Sequence, residues 1–262
     1  MQLREDIPNE WSERSVPGMY RALKILARHP GRTDLVGEFL SSSGSNGYRD
    51  LYLELMEDPD TRALLHSGRD LLVTLRDREH LSRLPRGTLG REYFEWTEAH
   101  EVDADGLADT IDVVERHLTT PVHVLSARMV DMHDLWHVLN GWDNDMFGEM
   151  HLLGFSYAQL RTPGWLYLGL AFCFALSSGG RHEGLYYFAR SFMIGKRARR
   201  LLGLEWESML ERPLLDLRRE LRLPEPRPYR KMSITEWRTF FARSWIARSD
   251  RWIRTRLAAR WL

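Results

Sequence analysis

His133-Asp-Leu-Trp-His137, followed by Val138-Leu-Asn-Gly-Trp-Asp-Asn-Asp-Met-Phe-Gly148 and then Glu149, is the stretch from which the rest of the chain is read. Two histidines four residues apart on a helix share one face, with Cβ atoms about 6 Å apart, so both imidazoles reach one ion. The helical reading begins at Pro121 and runs to Leu139, and the Asn140-Gly141 pair ends it with a left-handed cap. The chain must then turn back. Asn144 or Asp145 caps a second helix, which puts Glu149 within its first two turns, facing the histidines from an antiparallel neighbour. Three ligands, His133, His137 and Glu149, thereby converge from two helices.

Histidine pairs at this spacing also occur on helices that bind nothing, where they belong to a solvated polar face. Against that reading stands the company they keep: a trailing carboxylate across a tight turn, beside apolar Leu135, Trp136 and Leu139. Two histidines and a carboxylate suit zinc with an open fourth position. They equally suit a non-haem iron centre that leaves positions for substrate and dioxygen. The expected cofactor is therefore a divalent metal, zinc first and iron second. Asp134 stands where the zinc-protease pattern HExxH has its glutamate, with an arm one methylene shorter. Three roles are open to it: acceptor for an imidazole N–H, which we rank first, metal ligand, or catalytic base working through metal-bound water.

His-Asp-x-x-His, eleven residues, then Glu resembles the signature of the coenzyme Q biosynthesis family named after the fourth yeast Coq protein. Leu84-Pro-Arg-Gly-Thr-Leu-Gly-Arg-Glu-Tyr93 is similar to that family's LPxGSLGxxY stretch, and Leu55-Met-Glu-Asp-Pro-Asp60 to its LMxxDP element. Gly195-Lys-Arg-Ala198, Trp206-Glu207, Pro213-Leu214 and Leu217-Arg-Arg-Glu-Leu221 resemble its closing block. The likeness covers roughly residues 15 to 225. It implies an all-helical fold that binds polyprenylated aromatic precursors, with the motif holding a metal for removal of the ring C1 carboxyl, and residues 84–93 forming part of the substrate wall. It implies, as the alternative, a scaffold for other ubiquinone-biosynthesis enzymes.

Composition sets the bounds. The chain has 262 residues and 43% hydrophobic content, enough for one large helical domain with a sizeable core. Its 37 basic residues balance its 37 acidic ones, so the molecule as a whole exerts no pull toward nucleic acid or anionic membranes. All but three of the basic residues are arginine, which we read as genomic bias. The single cysteine, Cys173, lies in an apolar run; it is expected in the core, and a reducing compartment fits. The first ten residues lack the apolar stretch of a secretory signal and are too acidic for a transit peptide, so a bacterial cytoplasmic location, peripheral to the membrane, is expected. The longest apolar run, Trp165 to Leu176, is twelve residues, short of the roughly twenty that span a bilayer.

Short helices in series make up the remainder. No stretch alternates with period two between turn signals; Leu71 to Leu75 is the nearest candidate for a strand. Thr88 can cap a helix through Tyr93, Phe94 and Trp96. Trp165 to Leu176 is apolar nearly all round, so it is either core or the lining of an apolar pocket or tunnel for a polyprenyl tail, with Gly154, Gly164 and Gly169 admitting close approach of a chain or another helix. Arg181-His182-Glu183 reads as a helix start rather than a second ligand set. Lys196, Arg197, Arg199 and Arg200 read as a solvated helix end, with an anionic partner as the sharper alternative.

The family-like domain is expected to end near residue 225, with residues 226–232 as a proline-rich linker. From Ser233 to Leu262 a basic amphipathic helix is expected: seven arginines (238, 243, 248, 251, 254, 256, 260) against Glu236 and Asp250 give a net of five positive charges. Ile234, Trp237, Phe241, Trp245 and Trp252 share one of its faces. That face suits a membrane surface, or docking on the domain or on a second subunit. The expected activity is metal-dependent, oxidative or simple, C1 decarboxylation of a polyprenylated 4-hydroxybenzoate-type intermediate. A non-catalytic binder presenting such lipids to partner enzymes is the runner-up, and a bare metallohydrolase the third reading. Nucleic acid is not expected as a partner.

Overall fold

The computed structural model describes residues 14–28, 34–44, 46–102 and 120–243, and among them the chain forms helices and no strand. The first half runs α1 (Val16–Arg28), α2 (Asp34–Ser42), α3 (Asn46–Glu57), α4 (Pro59–His66), α5 (Leu71–Arg76), α6 (Arg78–Arg83) and α7 (Leu89–His100). The second runs α8 (Pro121–Asp131), α9 (His133–Asn140), α10 (Met146–Leu160), α11 (Pro163–Ser178), α12 (Glu183–Arg197), α13 (Trp206–Met209), α14 (Leu214–Glu220) and α15 (Ile234–Arg243). The all-helical class expected from the sequence is the class observed.

Capping chemistry explains several of the boundaries. Asp58 caps α4, accepting from the Thr61 N–H, with Pro59 behind it in the first turn. Thr88 caps α7 by accepting from the Arg91 N–H. Leu71 to Leu75 is a helix, not a strand: Asp70 accepts from the Leu72 N–H, and Leu71, Leu72 and Leu75 bury one helical face. The stretch from Pro121 to Leu139 is two helices rather than one. It bends at Met132 (φ −83°, ψ 0°), which lets α8 follow α4 and α5 while α9 turns to pack on α7.

Two hydrophobic cores lie on either side of α10. One joins α3 to α9 with α13 and α14; the other joins α1, α2, α11, α12 and α15. Helix α10 sends Leu152, Phe155 and Leu160 into the first and Phe147, Met150 and Leu153 into the second, which is why it is apolar around most of its circumference. Its closest neighbour is α12. A Cβ at Gly154 would lie 2.2 Å from the Phe188 carbonyl oxygen, so the close approach read from this glycine is that of another helix. Helix α11 buries Leu168, Phe172, Cys173 and Leu176 but leaves Leu170 and Phe174 exposed.

Stretches far apart in the chain meet as joints of this frame. The turn before α7 is bonded to the turn before α14: Leu214 donates to the Gly87 carbonyl at 2.7 Å and Gly90 to the Leu210 carbonyl at 2.8 Å. Arg128, buried on α8, forms a two-pronged ion pair with Glu207 at 2.6 and 2.9 Å. Arg218 on α14 donates to the Leu139 and Val138 carbonyls at 2.8 and 3.0 Å, satisfying the open end of α9.

Beyond α14 and the turn after it, the chain has no regular secondary structure as far as Ser233. In α15, Trp237 is fully buried, its ring 5.2 Å from that of Phe172, while Ile234 is half-exposed. The tail's expected aromatic face is thus turned inward at Trp237. The rest of the expected amphipathic helix, 244–262, lies outside the described residues.

Candidate metal centre

Helix α9 opens on His133 and brings His137 one turn further, and Gly141 ends it in the left-handed conformation (φ 67°). Four residues later Asp145 caps α10 by accepting from the Phe147 N–H at 3.0 Å, leaving Glu149 in the first turn. One ligand atom from each of His133, His137 and Glu149 lies within 4.8 Å of the others. His137 Nε2 is 3.3 Å from one Glu149 carboxylate oxygen and His133 Nε2 is 3.7 Å from the other. His137 is completely buried at the floor, whereas His133 and Glu149 are partly open, so the cluster is approached from one side.

These residues fit a divalent cation. Neither ring nitrogen of His137 has a hydrogen-bond partner, and its approach to Glu149 is off the line a hydrogen bond needs. A buried polar group left so costs about 1–3 kcal/mol, which coordination would remove. The proton balance points the same way. Burial favours neutral His133, but hydrogen bonds to Asp134 and Glu149 outweigh it and raise its pKa from 6.5 to about 10. Burial likewise opposes ionisation of Glu149, yet the charge on His137 and the hydrogen bond from His133 hold its carboxyl well below the usual range. The cluster thus draws a positive charge into itself. Asp134 lies on the other side of the His133 ring, its Oδ1 3.0 Å from Nδ1, leaving Nε2 turned toward Glu149.

Sequence reasoning did not identify the walls around these groups. Trp96, from α7, stacks on His137 with centroids 5.3 Å apart and lies tilted against His100 at 4.5 Å. His100 Nε2 lies 3.1 Å from an Asp143 oxygen, and Lys231 pairs with the other. Tyr229 accepts from the Asp143 N–H at 2.9 Å and donates to Asp145. His151, two residues past Glu149, faces elsewhere: it stacks on Trp142 at 5.0 Å, and burial, then the charge on Arg190, pushes its pKa down to about 3. For α7 the sequence offered the capped helix beginning at Thr88 and, through the family resemblance, residues 84–93 as part of a substrate wall, and neither pointed to Trp96 or His100 at the cluster; for residues 229–231 there was no hint, because they are about 86 residues from the loop they touch.

The other expected features fall elsewhere. Arg181-His182-Glu183 starts α12, as read. The basic residues near its end are divided: Arg199 pairs with Glu220, and Arg200 with Glu54. A cleft of about 460 Å³, lined by Tyr157, Arg161, Phe192, Lys196 and Arg200, lies beside them. Its α10 residues are 8 to 10 positions beyond Glu149, roughly 12–15 Å along the helix. It is not the chamber of the cluster. No helix among the described residues is long and apolar enough to cross a membrane.

An all-helical chain with two histidines and a carboxylate gathered between α9 and α10 is the class that fold and geometry define. The family model for "Coenzyme Q (ubiquinone) biosynthesis protein Coq4" matches residues 4–227. The chain therefore belongs to the Coq4 family and to ubiquinone biosynthesis. It is 30% identical over 228 residues to the mitochondrial ubiquinone biosynthesis protein COQ4 homolog of Danio rerio, covering 84% of this chain and 80% of that one. Against the mitochondrial COQ4 of Scheffersomyces stipitis it is 25% identical over 209 residues, 78% of this chain and 63% of that one. A crystal structure from Nostoc punctiforme, described as a ubiquinone biosynthesis protein, superposes with a TM-score of 0.60 at 20% identity, over 80% of this chain and 98% of that one. At that identity the likeness concerns the fold.

Proposed function

We propose that this chain is a metal-dependent enzyme that removes the C1 carboxyl of a polyprenylated 4-hydroxybenzoate-type intermediate. The observation that carries this reading is the completely buried His137, its Nε2 3.3 Å from a Glu149 oxygen but not hydrogen-bonded to it, in an open-sided cluster. His133, His137 and Glu149 would hold the ion, zinc first and iron second. When bound, the metal supplies a Lewis acid that fixes a substrate oxygen and takes up developing negative charge. Asp134 accepts from His133 Nδ1, keeping Nε2 free for the ion; that is its first role, with proton transfer at the open side of the cluster as its second. Trp96 closes one wall and limits water at His137. In the simple reaction the ring–carboxyl bond breaks, carbon dioxide leaves, and the ring carbon takes a proton. With iron, dioxygen and a two-electron reductant, that carbon would take a hydroxyl instead, the second oxygen atom leaving as water.

Metal content of the purified protein, followed by turnover, tests this. Near-stoichiometric metal is expected, lost in the His133→Ala/His137→Ala double variant while the helical circular dichroism persists. A prenylated hydroxybenzoate labelled at the carboxyl carbon should release the label, slowly in Glu149→Gln. Unchanged metal content in the double variant would sink the site. Tight lipid binding without product would instead establish the non-catalytic scaffold.

A membrane surface or a second subunit is the partner proposed for the outer face of α11 and α12. Leu170 and Phe174 on one helix, and Leu185, Tyr186 and Met193 on the other, are large apolar side chains left exposed, as a route for a polyprenyl tail requires. Sedimentation with anionic liposomes separates a lipid partner from self-association measured by light scattering.

A further inference from the structure

The match to the family ends at residue 227, yet Tyr229, Lys231 and Met232 just beyond it contact the loop joining the two candidate ligand helices. We propose that residues 229–232 are a strap that sets the position of Glu149 relative to the two histidines, with Tyr229 as its positioning residue; this rests on the metal reading above.

Only residues 141–145 connect α9 to α10, and they begin at a left-handed glycine that offers little resistance to pivoting. The two acidic residues among them are held mainly by the strap, while Trp96 of α7 donates its indole N–H to the Trp142 carbonyl at 3.3 Å. The Asp145 carboxylate accepts from three groups: the Phe147 N–H at the start of α10, the Met232 N–H at 2.8 Å, and the Tyr229 hydroxyl. In return Met146 donates its N–H to the Met232 carbonyl at 3.1 Å. At the other end of the loop Asp143 donates its N–H to the Tyr229 hydroxyl oxygen, while its carboxylate bridges Lys231 of the strap and His100 of α7. Tyr229 therefore ties both acidic residues of the loop through one oxygen. Burial first, then its bond to Asp145, raises the pKa of that hydroxyl and keeps it a donor.

The same oxygen sits over the turn that carries the ligand. A Cβ on Gly148, the residue before Glu149, would lie 2.9 Å from it and 1.8 Å from the Asp143 carbonyl oxygen. Any movement of the strap is thus passed to the first turn of α10. The ring itself is held independently, edge-on to His151 at 5.2 Å and to Tyr187 at 6.0 Å, so removing the hydroxyl leaves the packing in place.

Cobalt(II) titration of the full chain tests the strap without turnover. Tyr229→Phe should weaken Co²⁺ binding about 10-fold, the scale of outer hydrogen bonds to metal ligands. It should also alter the visible absorption of the bound ion as the carboxylate loosens, with the thermal midpoint of the metal-free protein little changed. Lys231→Ala should shift binding in the same direction by less. If both variants bind Co²⁺ with the wild-type constant and spectrum while Glu149→Gln is impaired, the strap has no positioning role and the proposal is wrong. If wild type and Glu149→Gln are alike in failing to bind, the metal reading beneath it has failed as well.

Discussion

Gly148→Ala pits two effects of known sign against each other. Helix propensity alone favours alanine in the first turn of α10 by about 0.5–1 kcal/mol. The structure says the opposite will win. The new Cβ would stand 1.8 Å from the Asp143 carbonyl oxygen, whereas contacts under 3.0 Å essentially do not occur, so the loop must retreat by at least 1.2 Å. That retreat strains the bonds of Asp143 to His100 and of its N–H to Tyr229. Overpacking of this kind costs about 1–3 kcal/mol, leaving a net loss of up to about 2.5 kcal/mol and, at about 2–4 °C per kcal/mol, a fall in thermal midpoint of up to about 10 °C. Because the clash adjoins Glu149, Co²⁺ affinity should fall too, by about tenfold or more. Gly37→Ala is the control: it is an exposed position in α2 where a Cβ meets nothing within 4 Å, so it should be neutral or slightly stabilising and leave metal binding alone. Differential scanning calorimetry and metal titration of both variants decide the matter. A Gly148→Ala protein as stable as Gly37→Ala, with wild-type affinity, would refute the account of how the loop meets α10.

Arg128→Ala should lower stability by about 3–5 kcal/mol in denaturant titration, since it abandons Glu207 beside a buried site, whereas Arg128→Met should recover part of that loss. The Cys173 thiol, pushed up to about 12 by burial, should react with a disulfide reagent at pH 8 only as fast as the protein unfolds. Metal uptake must displace the proton that His133 holds up to about pH 10, so Co²⁺ affinity should rise with pH from 6.5 upward by about a decade per unit; a flat profile would remove His133 from the ligand set. Chelation of metal-loaded protein should lower its thermal midpoint, by about 5–10 °C if free metal stood at a hundred times its Kd, and should do nothing to His137→Ala.

What the sequence by itself determined is local. The His133–His137 spacing, the Asn140-Gly141 stop, a cap at Asn144 or Asp145, which the structure places at Asp145, and the position of Glu149 follow from helix geometry and capping within one seventeen-residue stretch, and they bring three candidate ligand groups together. The all-helical class was legible for the same reason, since helices are written in spacings of three and four residues. At Leu71 to Leu75, the nearest candidate for a strand in a sequence with no convincing sheet, five residues are too few for periodicity to separate helix from strand, and the structure resolves them as a helix capped by Asp70. The bend at Met132 could not be read at all, because both sides of it are good helix, and the two sets of partners pulling α8 and α9 apart lie elsewhere in the chain. Tertiary structure alone placed Trp96 and His100 beside the cluster, Arg128 against Glu207, Arg218 on the end of α9, and Tyr229 with Lys231 across the loop. Each of those contacts joins residues about 40 to 90 positions apart. Their pairing depends on how the two cores close around α10, and a pattern local in the chain carries no record of that.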